Sequence, residues 1–196
     1  MSVPATAPGA SVSPTAEEHA DEPQIVARVQ HGDTAAFEVL VRRYLPRAVL
    51  IARQLLRDHH DAEDLVQDAF LRALDRIHTF DARRDFGPWF FRLLVNTGLN
   101  VRRARTLRLT EREAVDVPAG DDGPDRLVER REVRERFTRA VDALPARQRL
   151  IVSLFEVHGF SGAEIAEMVG VTPATVRWHL HEARRTLRAA LAPVKE

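Results

Sequence analysis

The sequence predicts an all-α protein built from two small helical domains joined by a flexible linker. Glycine is sparse, at 9 of 196 residues, while alanine, leucine and arginine are plentiful. Few segments alternate apolar and polar residues with the period of two that marks a half-buried strand. Hydrophobic residues make up 44% of the chain, which is enough for packed cores and argues against a wholly disordered protein.

Shifts in composition divide the chain into four parts. Residues 1–22 are rich in alanine, proline, serine and threonine and end acidic. We expect a disordered tail there, because such a segment cannot bury enough apolar surface to offset the entropy of ordering. Residues 23–104 show helical periodicity and form the first predicted domain. Residues 105–125 are the predicted linker, since 116–125 is acidic and full of turn residues, and residues 126–192 form the second domain.

The first domain begins with two predicted helices. A short helix over Gln24–His31 is followed by Gly32, and Asp33 can then cap a longer helix. Pro46 should kink or interrupt this longer helix, because proline removes a backbone N–H and clashes with the preceding turn.

Two further helices complete the first domain. Asp61 is the predicted cap of a helix that runs to about His78. A loop over Thr79–Gly87 precedes the fourth helix, which has Pro88 in its first turn and ends near Arg103.

The second domain contains the pattern of a helix-turn-helix. Two helices come first, over Arg126–Leu144 and Ala146–His158, with Pro145 as the break. The helix-turn-helix itself then follows, from residue 161 onward.

Caps and a turn define its two helices. Ser161 can cap the first helix, and Glu164, three residues on, completes a capping box. Gly170 suits the left-handed position that ends the helix. Thr172 can cap the second helix, with Pro173 at the first position, where a missing N–H costs nothing.

The second helix has two different faces at about 100° per residue. The apolar face consists of Val176, Leu180, Ala183 and Leu187, and the opposite one of Trp178, His181, Arg185 and Arg188, flanked by Arg177 and Arg184. This layout fits a recognition helix that enters a DNA major groove. An ordinary helical hairpin with a solvated arginine face is the alternative. The agreement of caps, turn and one-sided charge favours DNA binding.

Charge is segregated along the chain, although Lys+Arg and Asp+Glu balance at 29 each. Asp58–Asp68 is acidic, whereas Arg83–Arg112 has eight arginines against two acidic residues. Such segregation favours separate surfaces for separate partners.

Several classes of protein are disfavoured by what the sequence lacks. There is no cysteine, which excludes disulfides and thiolate zinc sites. No apolar run approaches the roughly 18 residues of a membrane span, and the first residues lack the pattern of a secretory signal. We therefore expect no membrane insertion.

The predicted helix after Asp61 presents an exposed line of acidic residues around a leucine. Its core face consists of Leu65, Val66, Ala69, Ala73 and Ile77, and its opposite side carries the acidic stripe, defined as Asp64, Asp68, Leu71 and Asp75. Asp68 follows Asp64 by four residues, and like charges at that spacing are unfavourable by roughly 0.2–0.5 kcal/mol. The stripe is typical of a docking surface for a basic partner. A solvated helix face is the better explanation of this segment when it is taken alone.

Two segments resemble the extracytoplasmic-function (ECF) group of bacterial RNA polymerase sigma factors. Asp-Ala-Glu-Asp-Leu-Val-Gln-Asp-Ala-Phe-Leu-Arg-Ala (61–73) resembles the core-polymerase-binding helix of region 2.2. Leu-Pro-Ala-Arg-Gln-Arg-Leu-Ile-Val (144–152), followed by the helix-turn-helix, resembles region 4. The resemblance covers roughly 25–104 and 126–191, with the two segments in the family's order.

The resemblance implies a promoter-specificity subunit and assigns roles to individual residues. Core polymerase would be contacted by Asp64, Gln67, Asp68 and Leu71. The melted −10 strand would be contacted by Arg92, Asn96, Asn100, Arg102 and Arg103, and the −35 duplex by Thr175, Arg177, Trp178, His181 and Arg184. The pocket for an unstacked −10 base would lie in the loop Thr79–Gly87. Arg177-Trp178-His179-Leu180 departs from the family's Lys/Arg-Ser-Arg-Leu, so the −35 base preference cannot be carried over.

The same resemblance implies the partners and the surroundings of the chain. Core RNA polymerase, promoter DNA and an anti-sigma factor are the expected partners, in the cytoplasm and without a cofactor. Trp89 would belong mostly to the core, and Phe90 and Phe91 would be divided between the core and the surface.

Two other functions remain as alternatives. A stand-alone helix-turn-helix regulator would act as a dimer on two half-sites, which leaves the acidic stripe and the first basic domain unused. A metal-dependent helical enzyme could use His59–Asp64, but adjacent residues at a helix start do not converge on a metal without other ligands. The sequence shows no nucleophile elbow or phosphate-binding glycine loop, so we expect neither catalysis nor a bound metal.

Overall fold

The computed structural model describes residues 21–56, 58–109 and 136–191, except the side chains of 106–109 and 191. Every regular element in these ranges is a helix, which confirms the all-α prediction. The N-terminal bundle consists of α1 (Glu22–Gln30), α2 (Thr34–Leu55), α3 (His59–Arg76), a 3₁₀ turn (Ile77–Thr79) and α4 (Phe86–Leu109). The C-terminal bundle consists of α5 (described over 136–142), α6 (Ala146–Val152) with a π-helical turn (Ser153–Val157), α7 (Gly162–Val169) and α8 (Pro173–Leu191).

The N-terminal bundle packs around α2, which contacts α1, α3 and α4. Its fully buried side chains are largely aromatic and aliphatic: Leu40, Tyr44, Ile51, Phe86, Phe90, Phe91 and Leu94. Gly98 is the point of closest approach, because a Cβ atom there would lie 2.8 Å from both Leu55 Cδ1 and Leu65 Cδ2. A residue without a side chain thus lets α4 pack against α2 and α3.

The long helix α2 continues through Pro46, so the predicted interruption is wrong. Asp33 does cap this helix, as predicted, and accepts a hydrogen bond from the Ala36 amide at 3.2 Å. Pro46 lies on the exposed side of the helix. There, solvent can bind the Arg42 carbonyl that proline leaves without its helical donor.

The start of α3 also differs from the prediction. Asp58, not Asp61, is the cap, and its carboxylate accepts from the Asp61 amide at 3.0 Å. Asp61 lies in the first turn and forms an ion pair with Arg105 of α4. Several acidic residues near one helix start can each serve as the cap, so local sequence did not distinguish between them.

Two predicted boundaries shift. The helix α4 continues past Arg103 to Leu109, into the predicted linker; basic residues in the last turns favour the negative end of the helix dipole. Glu22, predicted to end the disordered tail, is the first residue of α1 and is only 4% exposed. The predictions for residues 1–20 and 116–125 lie outside the described residues.

The C-terminal bundle follows the predicted order. Pro145 immediately precedes α6. The core of the bundle includes Ile151, Leu154, Ile165, Met168, Val176 and Ala183. The bundle lies against the N-terminal one, where α4 contacts α7. None of the helices in the described ranges is long and apolar enough to cross a bilayer.

Candidate nucleic-acid interface

The helix-turn-helix has the predicted caps and turn. The Ser161 amide donates to the Glu164 carboxylate at 2.7 Å, and the Glu164 amide donates to the Ser161 hydroxyl at 3.2 Å. Gly170 ends α7 with a φ of 66° in the left-handed region. Thr172 caps α8 by accepting from the Thr175 amide at 3.1 Å. These contacts fix the angle at which α8 leaves the turn.

The two faces of α8 are those the periodicity predicts. Val176, Leu180 and Ala183 are buried, and Leu187 is half-buried. Arg177, Trp178, His181, Arg185 and Arg188 are exposed. Trp178 is 56% exposed despite its large apolar ring. The exposed residues form one continuous basic and aromatic surface that a ligand can reach.

Two of the residues assigned to −35 contacts are engaged within the protein. The Thr175 hydroxyl lies 2.9 Å from the Thr172 hydroxyl, as part of the cap. Arg184 donates to the Glu156 carboxylate at 2.7 Å, and its guanidinium lies 5.7 Å from the centre of the Phe155 ring. Arg184 would have to release Glu156 before it could bind a phosphate.

On α4, polar side chains follow one exposed face. Arg92, Asn96, Asn100 and Arg103 are exposed and recur at spacings of three and four residues, so they share a side of the helix. Arg102 is half-buried beside them. Arg92 forms an ion pair with Glu167 of α7 at 3.2 Å. The −10 residues assigned from the sequence thus lie on a common surface, with Arg102 at its edge.

The loop that precedes α4 opens onto a cavity of about 560 Å³. Its lining on the N-terminal bundle consists of Thr79, Phe80, Asp81, Arg83, Arg84, Asp85, Pro88, Trp89 and Arg92, and on α7 of Ala163, Glu164 and Glu167. The cavity carries charged and aromatic groups, which can respectively bind phosphate and stack on a base.

The aromatic residues at the start of α4 are arranged differently from the prediction. Phe90 and Phe91 are entirely buried, so neither reaches the surface. Trp89 is half-buried, with its ring 4.8 Å from the ring of Phe80. It lines the cavity and is the one of these three aromatic residues that a ligand could touch.

The acidic stripe on α3 points outward. Leu65, Val66, Ala69 and Ala73 form the buried face, while Asp64, Gln67 and Asp75 are exposed and Asp68 is half-exposed. Leu71 is 63% exposed, and Asp68 pairs with Arg72 at 2.8 Å along the helix. The stripe therefore presents carboxylates around an apolar side chain, as a surface that docks a basic and partly apolar partner would.

Between the two bundles, Arg47 is held by two aromatic rings. Its guanidinium carbon lies 3.9 Å from the centre of the Phe160 ring and 4.8 Å from that of Phe91. It also donates to the carbonyl oxygen of His158. A cation between two rings is stabilised by their negative faces. We call Arg47, Phe91, His158 and Phe160 the interdomain clamp.

Burial shifts the pKa values of both titratable members of the clamp. Desolvation lowers the pKa of Arg47 to about 10, which still leaves it charged at neutral pH. Desolvation, reinforced by the charge of Arg47, lowers the pKa of His158 to about 4. His158 is therefore neutral at physiological pH, and its buried Nε2 has no hydrogen-bond partner in the structure.

Sequence reasoning missed Arg47, Glu22 and Gln30 as residues that organise these surfaces. Arg47 had a detectable signal, because it lies three residues after Tyr44 and four before Ile51 on the apolar side of α2. A charge within such a stripe indicates a buried partner. Glu22 and Gln30 carry no comparable signal, since the backbone groups that they contact at the ends of the loop before α4 are 47 to 64 residues away.

The described residues combine two helical bundles, a helix-turn-helix with an exposed basic face, and a separate helix that carries an exposed acidic stripe. Residues 40–108 match the family model of Sigma-70 region 2, and residues 134–187 match that of Sigma-70, region 4. The chain belongs to the ECF sigma factors of bacterial RNA polymerase.

The similarity to individual relatives extends over most of the chain. The chain is 29% identical over 181 residues to the RNA polymerase sigma-H factor of Pseudomonas aeruginosa, and the match covers 87% of this chain and 94% of the relative. It is 30% identical over 181 residues to the ECF RNA polymerase sigma-E factor of Escherichia coli K12, with the same coverage. The sigma factor RpoE of Bartonella quintana, solved with the anti-sigma factor NepR, superposes with a TM-score of 0.65 at 25% identity, over 81% of this chain and 98% of that one.

Proposed function

We propose that this chain directs core RNA polymerase to promoters, through a docking surface on α3 and two DNA-binding surfaces on α4 and α8. The observation that carries the proposal is the exposure of all three surfaces in a member of the sigma family. A stand-alone regulator would need only α8 and would leave the other two surfaces without use. The chain itself supplies recognition, and the polymerase supplies catalysis.

Docking is assigned to the acidic stripe together with Gln67. Exposed carboxylates attract a basic partner and orient its approach. The half-exposed Asp68 and the 63% exposed Leu71 give the surface a centre that can be desolvated on binding. Leu71 would then supply apolar contact area, and Asp64 and Asp68 would supply charge.

The −10 element is assigned to α4 and the loop before it. Arg92 and Arg103 can neutralise strand phosphates, while Asn96 and Asn100 can hydrogen-bond to bases or sugars. An unstacked base needs a pocket with polar and aromatic walls, and the cavity beside Trp89 has both. Arg102, at the edge of the face, would contact the backbone.

The −35 element is assigned to the exposed face of α8. The first turns of a recognition helix reach base edges, and later arginines more often reach phosphates. Arg177 and Trp178 are therefore the proposed base contacts, with His181 and Arg184 nearer to the backbone. Thr175 would act chiefly through the helix cap. The ring of Trp178 can contact a thymine methyl group.

The partners follow from the same proposal. Core RNA polymerase and promoter DNA are the proposed partners, and we infer from them that the protein acts in the bacterial cytoplasm. The structural relative RpoE was solved with an anti-sigma factor, which supports a similar inhibitory partner for this chain.

The proposal is tested by charge reversal in the acidic stripe. Asp64→Lys combined with Asp68→Lys should reduce the affinity for core polymerase by at least tenfold, since attraction becomes repulsion across a desolvated surface. The variant should keep its melting temperature, because both side chains are exposed or half-exposed. Affinity for core and promoter-directed transcription are the measurements.

Glu38→Lys combined with Asp142→Lys is the matched control, since it makes the same total charge change at two exposed positions outside α3. It should bind core like the wild type. Equal affinity for all three proteins would contradict the docking role. A wild-type chain that binds specific DNA tightly but does not bind core would contradict the proposed function as a whole.

A further inference from the structure

The helix α1 contacts both ends of the loop before α4. At the C-terminal end of α1, the Gln30 side-chain amide donates to the carbonyl oxygens of Ile77 and Phe80, both at 2.7 Å. At its N-terminal end, the Glu22 carboxylate accepts from the backbone amide of Phe86 at 3.0 Å. Residues 80–86 are thus fixed at both ends by a single rigid helix.

The Gln30 contact uses the full donor capacity of one amide group. Both neighbours are carbonyl oxygens, so the NH₂ group must face them, and each of its two hydrogens has an acceptor. Gln30 is half-buried, and its two acceptors belong to the first residue of the 3₁₀ turn and to the residue that follows the turn. The contact therefore fixes the direction in which the chain enters the loop.

The Glu22 contact is part of a buried network. Its carboxylate, 4% exposed, also accepts from the Tyr44 hydroxyl at 2.5 Å and from Arg43 at 3.3 Å. The Tyr44 ring in turn lies so close to Gly87 that a Cβ atom there would be 3.0 Å from its Cε1. A buried carboxylate with partners on α2 and α4 resists displacement, since moving any one of them would remove a hydrogen bond from a buried charge.

The braced loop is the one that lines the cavity. Between the two anchors lie the exposed Arg83, Arg84 and Asp85. Asp81 accepts from the Arg83 amide at 3.1 Å and so also restrains the loop internally. A loop fixed at both ends and within loses little freedom on binding, and such preorganisation favours a ligand of one shape over others.

We propose that Gln30 and Glu22 are positioning residues for base selection in the −10 element. In this role, α1 holds the loop before α4 in the conformation that binds the −10 base. The inference rests on the proposed function, because it assigns the loop to an unstacked −10 base. It extends that function to a helix that precedes the region-2 match, which begins at residue 40. Neither residue needs to touch DNA for this role.

The test is Gln30→Met in the full chain, assembled with core RNA polymerase on a promoter library randomised at the −10 and −35 elements. Methionine retains about the volume of glutamine but has no donor. We expect the ratio between the best and the worst base at one −10 position to fall by about tenfold, as two hydrogen bonds are lost. The −35 preferences and the affinity for core should not change.

Arg28→Met is the matched control. Arg28 lies on the exposed side of the same helix and pairs with the nearby Asp33 at 2.6 Å. This variant should keep the wild-type −10 profile. The −35 preferences, recorded in the same sequencing run, report whether each variant remains folded.

Three results would overturn the inference. A wild-type −10 profile for Gln30→Met would show that the hydrogen bonds do not position the loop. A uniform loss at −10 and −35 with a lower melting temperature would show a purely structural role. A wild-type chain with no base preference at −10 would overturn the proposed function, and with it the positioning role of α1. This outcome is distinguished from the other two because it is seen in the wild-type protein.

Discussion

His158 is a titratable side chain held in an apolar contact between two bundles. It is 6% exposed, its Nε2 has no hydrogen-bond partner among the described residues, and its pKa is lowered to about 4 from an ordinary value of 6.5. Burial disfavours the imidazolium, and the nearby charge of Arg47 disfavours it further. The folded protein therefore takes up this proton at lower pH than the unfolded chain does.

Acidification should consequently destabilise the protein. Between about pH 6.5 and pH 4 the unfolded chain binds the proton and the folded protein does not, so the free energy of unfolding falls as the pH falls. From pH 6.5 to pH 5, at about 1.4 kcal/mol per unit, the loss from His158 is on the order of 2 kcal/mol. Urea unfolding at pH 7 and pH 5 measures it.

The comparison with His158→Asn isolates this residue from the other seven histidines. Asparagine does not titrate, so the variant should lose less stability between the two pH values than the wild type does. Parallel losses in both proteins would show that His158 takes up its proton equally readily in the folded and unfolded states.

At the scale of helices, Gly98 sets how closely α4 approaches its neighbours. Gly98→Ala would place a Cβ atom 2.8 Å from the ends of Leu55 and Leu65, both 3% exposed. The gain in helix propensity, up to about 1 kcal/mol, is smaller than the typical overpacking cost of about 1–3 kcal/mol. We expect a net loss of about 1–2 kcal/mol in the free energy of unfolding, measured with urea.

Gly162→Ala is the matched comparison at an open position. The nearest atom to a Cβ there is Val176 Cγ1 at 4.0 Å, and Gly162 is the first residue of α7. Its substitution should be neutral or stabilising, by up to about 1 kcal/mol. A destabilisation as large as that of Gly98→Ala would mean that crowding is not the cause.

Elements governed by local signals were predictable from the sequence. The capping box of Ser161, the turn at Gly170 and the cap at Thr172 each depend on residues within four positions, and the structure confirms all three. The exposed face of α8 and the acidic stripe followed from helical periodicity for the same reason.

Elements governed by distant partners were not predictable. The continuity of α2 through Pro46 depends on which side of the helix faces solvent. Asp61, the predicted cap of α3, instead pairs with Arg105 of α4, which lies 44 positions away. The burial of Phe90 and Phe91 depends on how α4 packs against α2 and α7. The hydrogen bonds between α1 and the loop before α4 join residues as many as 64 positions apart, so no local sequence pattern predicts them.

For the whole molecule, the packing of the two bundles affects access to the −10 surface. Glu167 of α7 pairs with Arg92, and α7 also forms one wall of the loop cavity. The carboxylate of Glu167 thus pairs with the guanidinium of Arg92, which we propose as a ligand of a strand phosphate. We expect the reading of −10 and −35 elements at separate positions along DNA to separate the bundles, in which case the interdomain clamp opposes the DNA-bound arrangement.

Removing the clamp should therefore open the molecule. Arg47→Ala loses the contacts with the rings of Phe91 and Phe160 and the bond to the His158 carbonyl, which should shift the balance toward separated bundles by at least tenfold. Because the chain has no cysteine, one cysteine introduced in each bundle allows spin labelling. The distance between the two labels should become longer and its distribution broader than in the wild type.

Opening should also raise the affinity of the free chain for a −10 single strand, because Glu167 would no longer compete with a phosphate for Arg92. Arg42→Ala is the control on the same helix, since Arg42 is exposed and pairs with the exposed Glu38 of α2. Unchanged distances in Arg47→Ala would show that the clamp does not hold the bundles together.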